Sequence, residues 1–173
     1  MNIVLIGYRG TGKSVISKIL AGILHCKCYS LDEEITRKAG KLIPEIVEQE
    51  GWGRFREIER EVVQQISFGV RNSVIDCGGG VVIDEDNVTD LRRNGKVVLL
   101  TSSLEKIIQR ISRDSSRPPL EGKLSFREEQ KKFLIKRDPQ YRAAADCVFE
   151  TTYLEPRQTA LKIVTRFKKE RWI

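Results

Sequence analysis

Residues 7–14 read GYRGTGKS, with Gly7 and Gly12 bracketing four residues and Lys13 and Ser14 following. Glycines let successive backbone N–H groups turn toward one anion, and a helix that begins there adds its positive end. A lysine in this place reaches the β- and γ-phosphates of a nucleoside triphosphate, and the serine hydroxyl takes Mg²⁺. The flanks agree: Asn2 to Ile6 is a short continuous apolar run, the mark of a strand buried on both faces. Lys13 to Leu24 then carries apolar residues at helical spacing. The expected phosphate contacts are Gly10, Thr11, Gly12, Lys13, Ser14 and Val15, with Ser14 also on the metal.

A second stretch, VIDCGGG at 74–80, ends an apolar run in an acid and three glycines. Glycine within an element costs about 0.5 to 1 kcal/mol relative to alanine, so Gly78, Gly79 and Gly80 imply a use for bare backbone. Asp76 falls at the C-terminal end of this run, where other P-loop enzymes offer an acid to Mg²⁺. The alternative is an aspartate that fixes local backbone.

These residues need a scaffold. Apolar runs ending at Asp76 and covering Val97 to Leu100 are followed by helical stretches, Glu85 to Arg93 and Leu104 to Arg113. Strand and helix alternate, which predicts an α/β fold with a parallel sheet between helices. Ser30 with Glu33, Ser102 with Glu105 and Ser125 with Glu128 fit capping boxes, and Pro156 suits the first turn of a last helix ending near Lys169. Residues 113–123, RDSSRPPLEGK, form the one long irregular polar stretch, of the kind that covers a site as a lid.

With 173 residues the chain fits one domain. Its formal charge of +7 favours anionic partners without choosing among them. Cysteines stand at 26, 28, 77 and 147 beside a single histidine, His25, so reduced thiols are expected in place of a zinc site. His25 falls at the end of the first helix and reads as a terminal residue and not a base. The opening residues do not resemble a secretory signal, and no apolar run approaches the roughly 20 residues of a membrane span, which points to the cytoplasm.

Behind the P-loop, in order, come LDEEI at 31–35, FREIE at 55–59, CGGG at 77–80, RPPL at 117–120 and KRDPQY at 136–141. Together these motifs resemble the shikimate kinase family over nearly the whole chain. The resemblance implies ATP-dependent phosphorylation of the 3-hydroxyl of shikimate, in the biosynthesis of chorismate and the aromatic amino acids. It implies a three-layer, nucleoside-monophosphate-kinase-like P-loop fold with a five-stranded parallel sheet flanked by helices. A mobile lid would span about 113–124 and a substrate-binding region about 32–60.

By the same resemblance, Arg56 and Arg137 bind the substrate carboxylate, and Gly78, Gly79 and Gly80 admit the substrate. Asp32 accepts from its hydroxyls and is the candidate base. Arg117 is the catalytic lid arginine, and Arg110 and the loop before Pro156 enclose adenine. Glu59, three residues beyond Arg56, shares its helical face and can hold it in place. The implied partners are ATP, Mg²⁺ and shikimate, with no nucleic acid or membrane, and the implied state is a monomer.

The chain departs from the family at Ser30, where an acid that helps hold the Mg²⁺ shell usually stands. Asp76 is the expected replacement. Trp52, Gly53 and Arg9 depart as well; Arg9 either adds a cation beside the transferring phosphate or points to solvent. Three other readings fit the sequence: a related kinase of gluconate or a nucleoside monophosphate, an ATP-binding module with weak catalysis, and a nucleic-acid-associated P-loop protein or GTPase. The absence of an Asn-Lys-x-Asp guanine motif weighs against the last.

Overall fold

The structure, a computed structural model, describes residues 1–112 and 125–173. The expected lid lies outside the described residues. Strand β1 (Asn2–Ile6) is buried along its whole length and lies at the centre of the sheet. Its side chains alternate: Ile3 and Leu5 face α1 (Lys13–Leu24) and α7 (Pro156–Lys169), while Val4 and Ile6 face the opposite layer. Covered on both faces, the strand can be apolar at every position.

Four further strands complete a parallel sheet: β3 (Ser73–Asp76) and β4 (Gly95–Thr101) pair with β1, β2 (Lys27–Ser30) pairs with β3, and β5 (Cys147–Glu150) pairs with β4. Their order is β2-β3-β1-β4-β5, which gives the five-stranded parallel sheet implied by the resemblance. The two edge strands, KCYS and CVFE, did not stand out in the sequence. Each is only partly covered and carries charge, so neither shows a continuous apolar run.

On the face opposite α1 and α7 lie α2 (Leu31–Ala39), α3 (Ile43–Gly69), α4 (Glu85–Arg93) and α6 (Phe126–Ala144). Helix α5 (Leu104–Ile111) follows β4, and one 3₁₀ turn, Val81–Ile83, follows the glycine triplet. Ser30 caps α2, its hydroxyl accepting from the Glu33 N–H at 3.3 Å. Ser125 and Glu128 form the reciprocal box that opens α6. At α5 the expectation needs correction: the cap is Ser103, whose hydroxyl accepts from the Lys106 N–H, not Ser102. Thr152 shifts the boundary by accepting the Ser103 N–H at 2.9 Å through its hydroxyl. Helix α3 kinks at Gly51, whose φ of +83° other residues avoid.

His25 is the left-handed C-cap of α1. All four cysteines are free thiols. Burial pushes their thiols up, Cys147 to about 11, which leaves them protonated and unreactive at neutral pH. No helix among the described residues is long and apolar enough to cross a membrane.

Candidate active site

The site lies outside the carboxyl ends of β1, β2 and β3, where the loops that follow parallel strands converge. After β1, the loop curls so that Gly10 and Gly12 take φ of +79° and +95°, and Gly12 becomes the N-cap of α1. A side chain at either place would be strained. Lys13 Nζ donates to the Gly7 and Tyr8 carbonyls at 2.9 and 3.0 Å, which sets its ammonium inside the curve of the loop.

This loop lines a cavity of about 370 Å³. Residues 10–15, all expected to meet phosphate, are on its wall together with Asp76, Arg110 and Pro156. Arg110 does more than border the cavity. Its guanidinium donates to the Gly10 carbonyl at 3.0 Å and to the Thr151 carbonyl at 2.9 Å, tying the P-loop to the segment after β5. Thr151 completes the tie by donating to the Thr11 carbonyl at 2.9 Å. Thr151 escaped the sequence reading, because a threonine after an edge strand carries no signal of its own.

A second cavity, of about 730 Å³, opens beside the first. Arg56, Glu59, Arg137 and all three glycines of the triplet line it, and Asp32, Gly78, Gly79 and Arg9 border both cavities. Asp32, one residue into α2, therefore stands at the junction. Arg117 lies outside the described residues.

The glycines leave room for side chains. A Cβ on Gly78 would lie 2.8 Å from Asp32 Oδ1, and one on Gly80 would fall within the Arg56 guanidinium. The Gly79 carbonyl accepts from Arg137 at 3.3 Å and from the Tyr141 hydroxyl, so the triplet also anchors α6. Tyr141 is the last residue of the KRDPQY motif, and burial pushes its phenol up, which keeps it a donor.

Arg56 is held from two sides. Glu59, almost fully buried, accepts from it at 2.5 Å, and the Phe55 ring lies under the guanidinium carbon at 4.8 Å. Trp52 packs edge-on against Phe55 with ring centroids 5.6 Å apart. Arg9 does not simply point to solvent: it is on the wall of both cavities, its Nε and Nη2 donate to Gln130 Oε1 at 2.9 and 2.7 Å, and the Tyr8 hydroxyl donates to the same oxygen. Gln130, fully buried in α6, is a site-supporting residue that the sequence did not mark.

Burial raises the Glu59 carboxyl above its ordinary value of 4.5, and the Arg56 charge opposes that only in part. The native chain therefore keeps this proton to higher pH than the unfolded chain. Stability from the group is fully present below 4.5 and is lost as pH rises through the raised folded value. Denaturant unfolding measured against pH checks this: wild-type stability minus that of Glu59→Gln should fall across that window and then level off. A difference that climbs with pH would mean that the Arg56 charge outweighs burial.

The described residues contain no cluster of three or more His, Cys, Asp or Glu around a common metal position. Mg²⁺ in phosphoryl-transfer sites does not need one: it is held by one or two carboxylates, waters and substrate phosphates. The Ser14 hydroxyl with Asp32 and Asp76 on the cavity wall fits that donor set.

A phosphate-binding loop on a parallel sheet, beside a second cavity walled by fixed guanidinium groups, defines a P-loop kinase of a small acidic acceptor. The comparisons with known proteins agree. The shikimate kinase family model matches residues 9–168. The chain is 38% identical to a shikimate kinase of Syntrophus aciditrophicus over 99% of its own length and 93% of the relative's. It is 37% identical to one of Pseudomonas paraeruginosa, covering 98% and 97%. Among solved structures, the shikimate kinase of Acinetobacter baumannii in complex with shikimate superimposes with a TM-score of 0.90 at 35% identity, covering 98% of this chain and 93% of that one. The shikimate kinase of Aquifex aeolicus gives 0.81 at 27% identity, covering 99% of each. The chain belongs to the shikimate kinase family.

Proposed function

We propose that this chain transfers the γ-phosphoryl group of ATP to the 3-hydroxyl of shikimate, giving shikimate 3-phosphate and ADP on the route to chorismate and the aromatic amino acids. The observation that carries the reading is the shared wall: Asp32, Gly78 and Gly79 border both the phosphate cavity and the arginine-walled cavity. Two anionic reactants can therefore lie side by side with one carboxylate between them.

Arg56 and Arg137 take the acceptor's ring carboxylate, Arg56 in an orientation fixed by Glu59 and Phe55. Asp32 accepts a hydrogen bond from the attacking hydroxyl and receives its proton. The hydroxyl oxygen forms a bond to the γ-phosphorus as the bond to the β–γ bridging oxygen breaks, and ADP leaves. Lys13 and the N–H groups of residues 10–15 stabilise the charge on the phosphate oxygens. Arg117 is assigned to the same oxygens from the lid. The Ser14 hydroxyl would stand in the shell of a bound Mg²⁺, whose charge would help neutralise the phosphate oxygens. Arg110, Leu154 and Pro156 form the wall assigned to adenine. One chain lines both cavities, which suits a monomer, and a reaction that draws on ATP suits the cytoplasm.

Coupled ADP release, with ATP and Mg²⁺ and with shikimate, quinate, gluconate or nucleoside monophosphates as acceptors, tests the reading. Turnover is expected to depend on shikimate. ADP release that answers to gluconate or a nucleotide and not to shikimate would overturn it.

A further inference from the structure

Two carboxylates line the phosphate cavity among the described residues, and they are not equivalent. Asp32 also borders the acceptor cavity, where a hydroxyl must reach it; Asp76 borders the phosphate cavity alone. Asp76 is the last residue of β3, paired in parallel register with Leu5 of the P-loop strand on one side and Ser30 of β2 on the other. It is only 6% exposed. The loop that follows β1 brings Ser14 to the wall of the same cavity.

Building on the ATP-site reading above, we propose that Asp76 is the carboxylate that holds the divalent metal's coordination shell, with Ser14, in the metal–nucleotide complex. Position 30 is where that charge can be moved. In-register neighbours on parallel strands lie about 4.8 Å apart with side chains on the same face, and Ser30 also lines the cavity. An acid at either place of this pair can face the same metal. Ser30 then serves α2 as its N-cap, a task that serine and aspartate perform about equally well.

The test uses Mn²⁺ as the probe, titrated into the ADP complex of the full chain and followed by the electron paramagnetic resonance of free Mn²⁺. Asp76→Asn is expected to weaken Mn²⁺ binding to the ADP complex by about 10- to 100-fold, the usual loss when a group orienting a metal shell is removed. ADP affinity in EDTA should hold or improve, because a negative charge beside the phosphates is gone. The double variant Ser30→Asp/Asp76→Asn should recover Mn²⁺ affinity. Should Asp76→Asn fail to fold by circular dichroism, the exchange Ser30→Asp/Asp76→Ser carries the same test with the cavity charge retained. Unchanged Mn²⁺ affinity in Asp76→Asn, or a loss that the acid at 30 does not recover, overturns the proposal. Failure of the wild-type chain to bind ADP at all would instead overturn the ATP-site reading.

Discussion

Replacing Lys13 by alanine is expected to lower kcat by about a thousandfold while the fold stays intact. Phosphoryl transfer asks little covalent chemistry of the protein, so rate comes from charges already in place where the transition state needs them. Removing one such group in other enzymes costs about 10² to 10³ in kcat, and a full positive charge belongs at the upper end. The loop should survive the change. Of the two carbonyls that Lys13 Nζ serves, that of Tyr8 also accepts from the Thr11 hydroxyl at 2.7 Å, and Arg110 and Thr151 hold the loop from outside. Steady-state kinetics with a thermal melt check both halves; a loss under tenfold with an unchanged melt would remove Lys13 from the chemistry.

The second large effect is expected from one methyl group. Gly80→Ala should raise the KM for shikimate about a hundredfold and leave the KM for ATP nearly unchanged. The new Cβ would occupy the place of the Arg56 guanidinium, which Glu59 and the Phe55 ring otherwise fix. Arg56 must then leave its seat, breaking a buried charge pair and losing the bidentate hold on the substrate carboxylate. Loss of such a partner costs about 2 to 5 kcal/mol, and every 1.4 kcal/mol is about tenfold in affinity. Gly22 provides the control. It lies inside α1 with open space where its Cβ would go, so Gly22→Ala should keep activity and add up to about 1 kcal/mol of stability. Equal kinetics for Gly80→Ala and Gly22→Ala would contradict the packing described around Arg56.

Much of this was legible in the residues because the informative elements are covered on both faces. The runs that became β1, β3 and β4 carry their apolar residues consecutively, and α1, α4 and α7 fall where their spacing predicted. The edge strands were missed for the converse reason, that half-covered strands mix polar and apolar residues. Within the site, motifs with fixed spacing announced themselves, whereas residues acting through one long-range hydrogen bond did not. Gln130 meets Arg9 across 121 positions and Thr151 meets Thr11 across 140, and nothing local marks either partner. The glycine triplet was recognised as bare backbone, yet its reason differs in part. Gly78 and Gly80 are empty so that Asp32 and Arg56 can occupy the space, a fact that appears only when separate helices are brought together.

In the proposed reaction two anions meet at Asp32, one in the P-loop and the other on Arg56 and Arg137. A crystal structure of the chain with MgADP and shikimate tests it most directly. The ring carboxylate is expected on the Arg56 and Arg137 guanidinium groups, with the 3-hydroxyl within hydrogen-bond reach of Asp32 and turned toward the nucleotide. A ring carboxylate bound away from both arginines, or a 3-hydroxyl turned away from the P-loop, would contradict it.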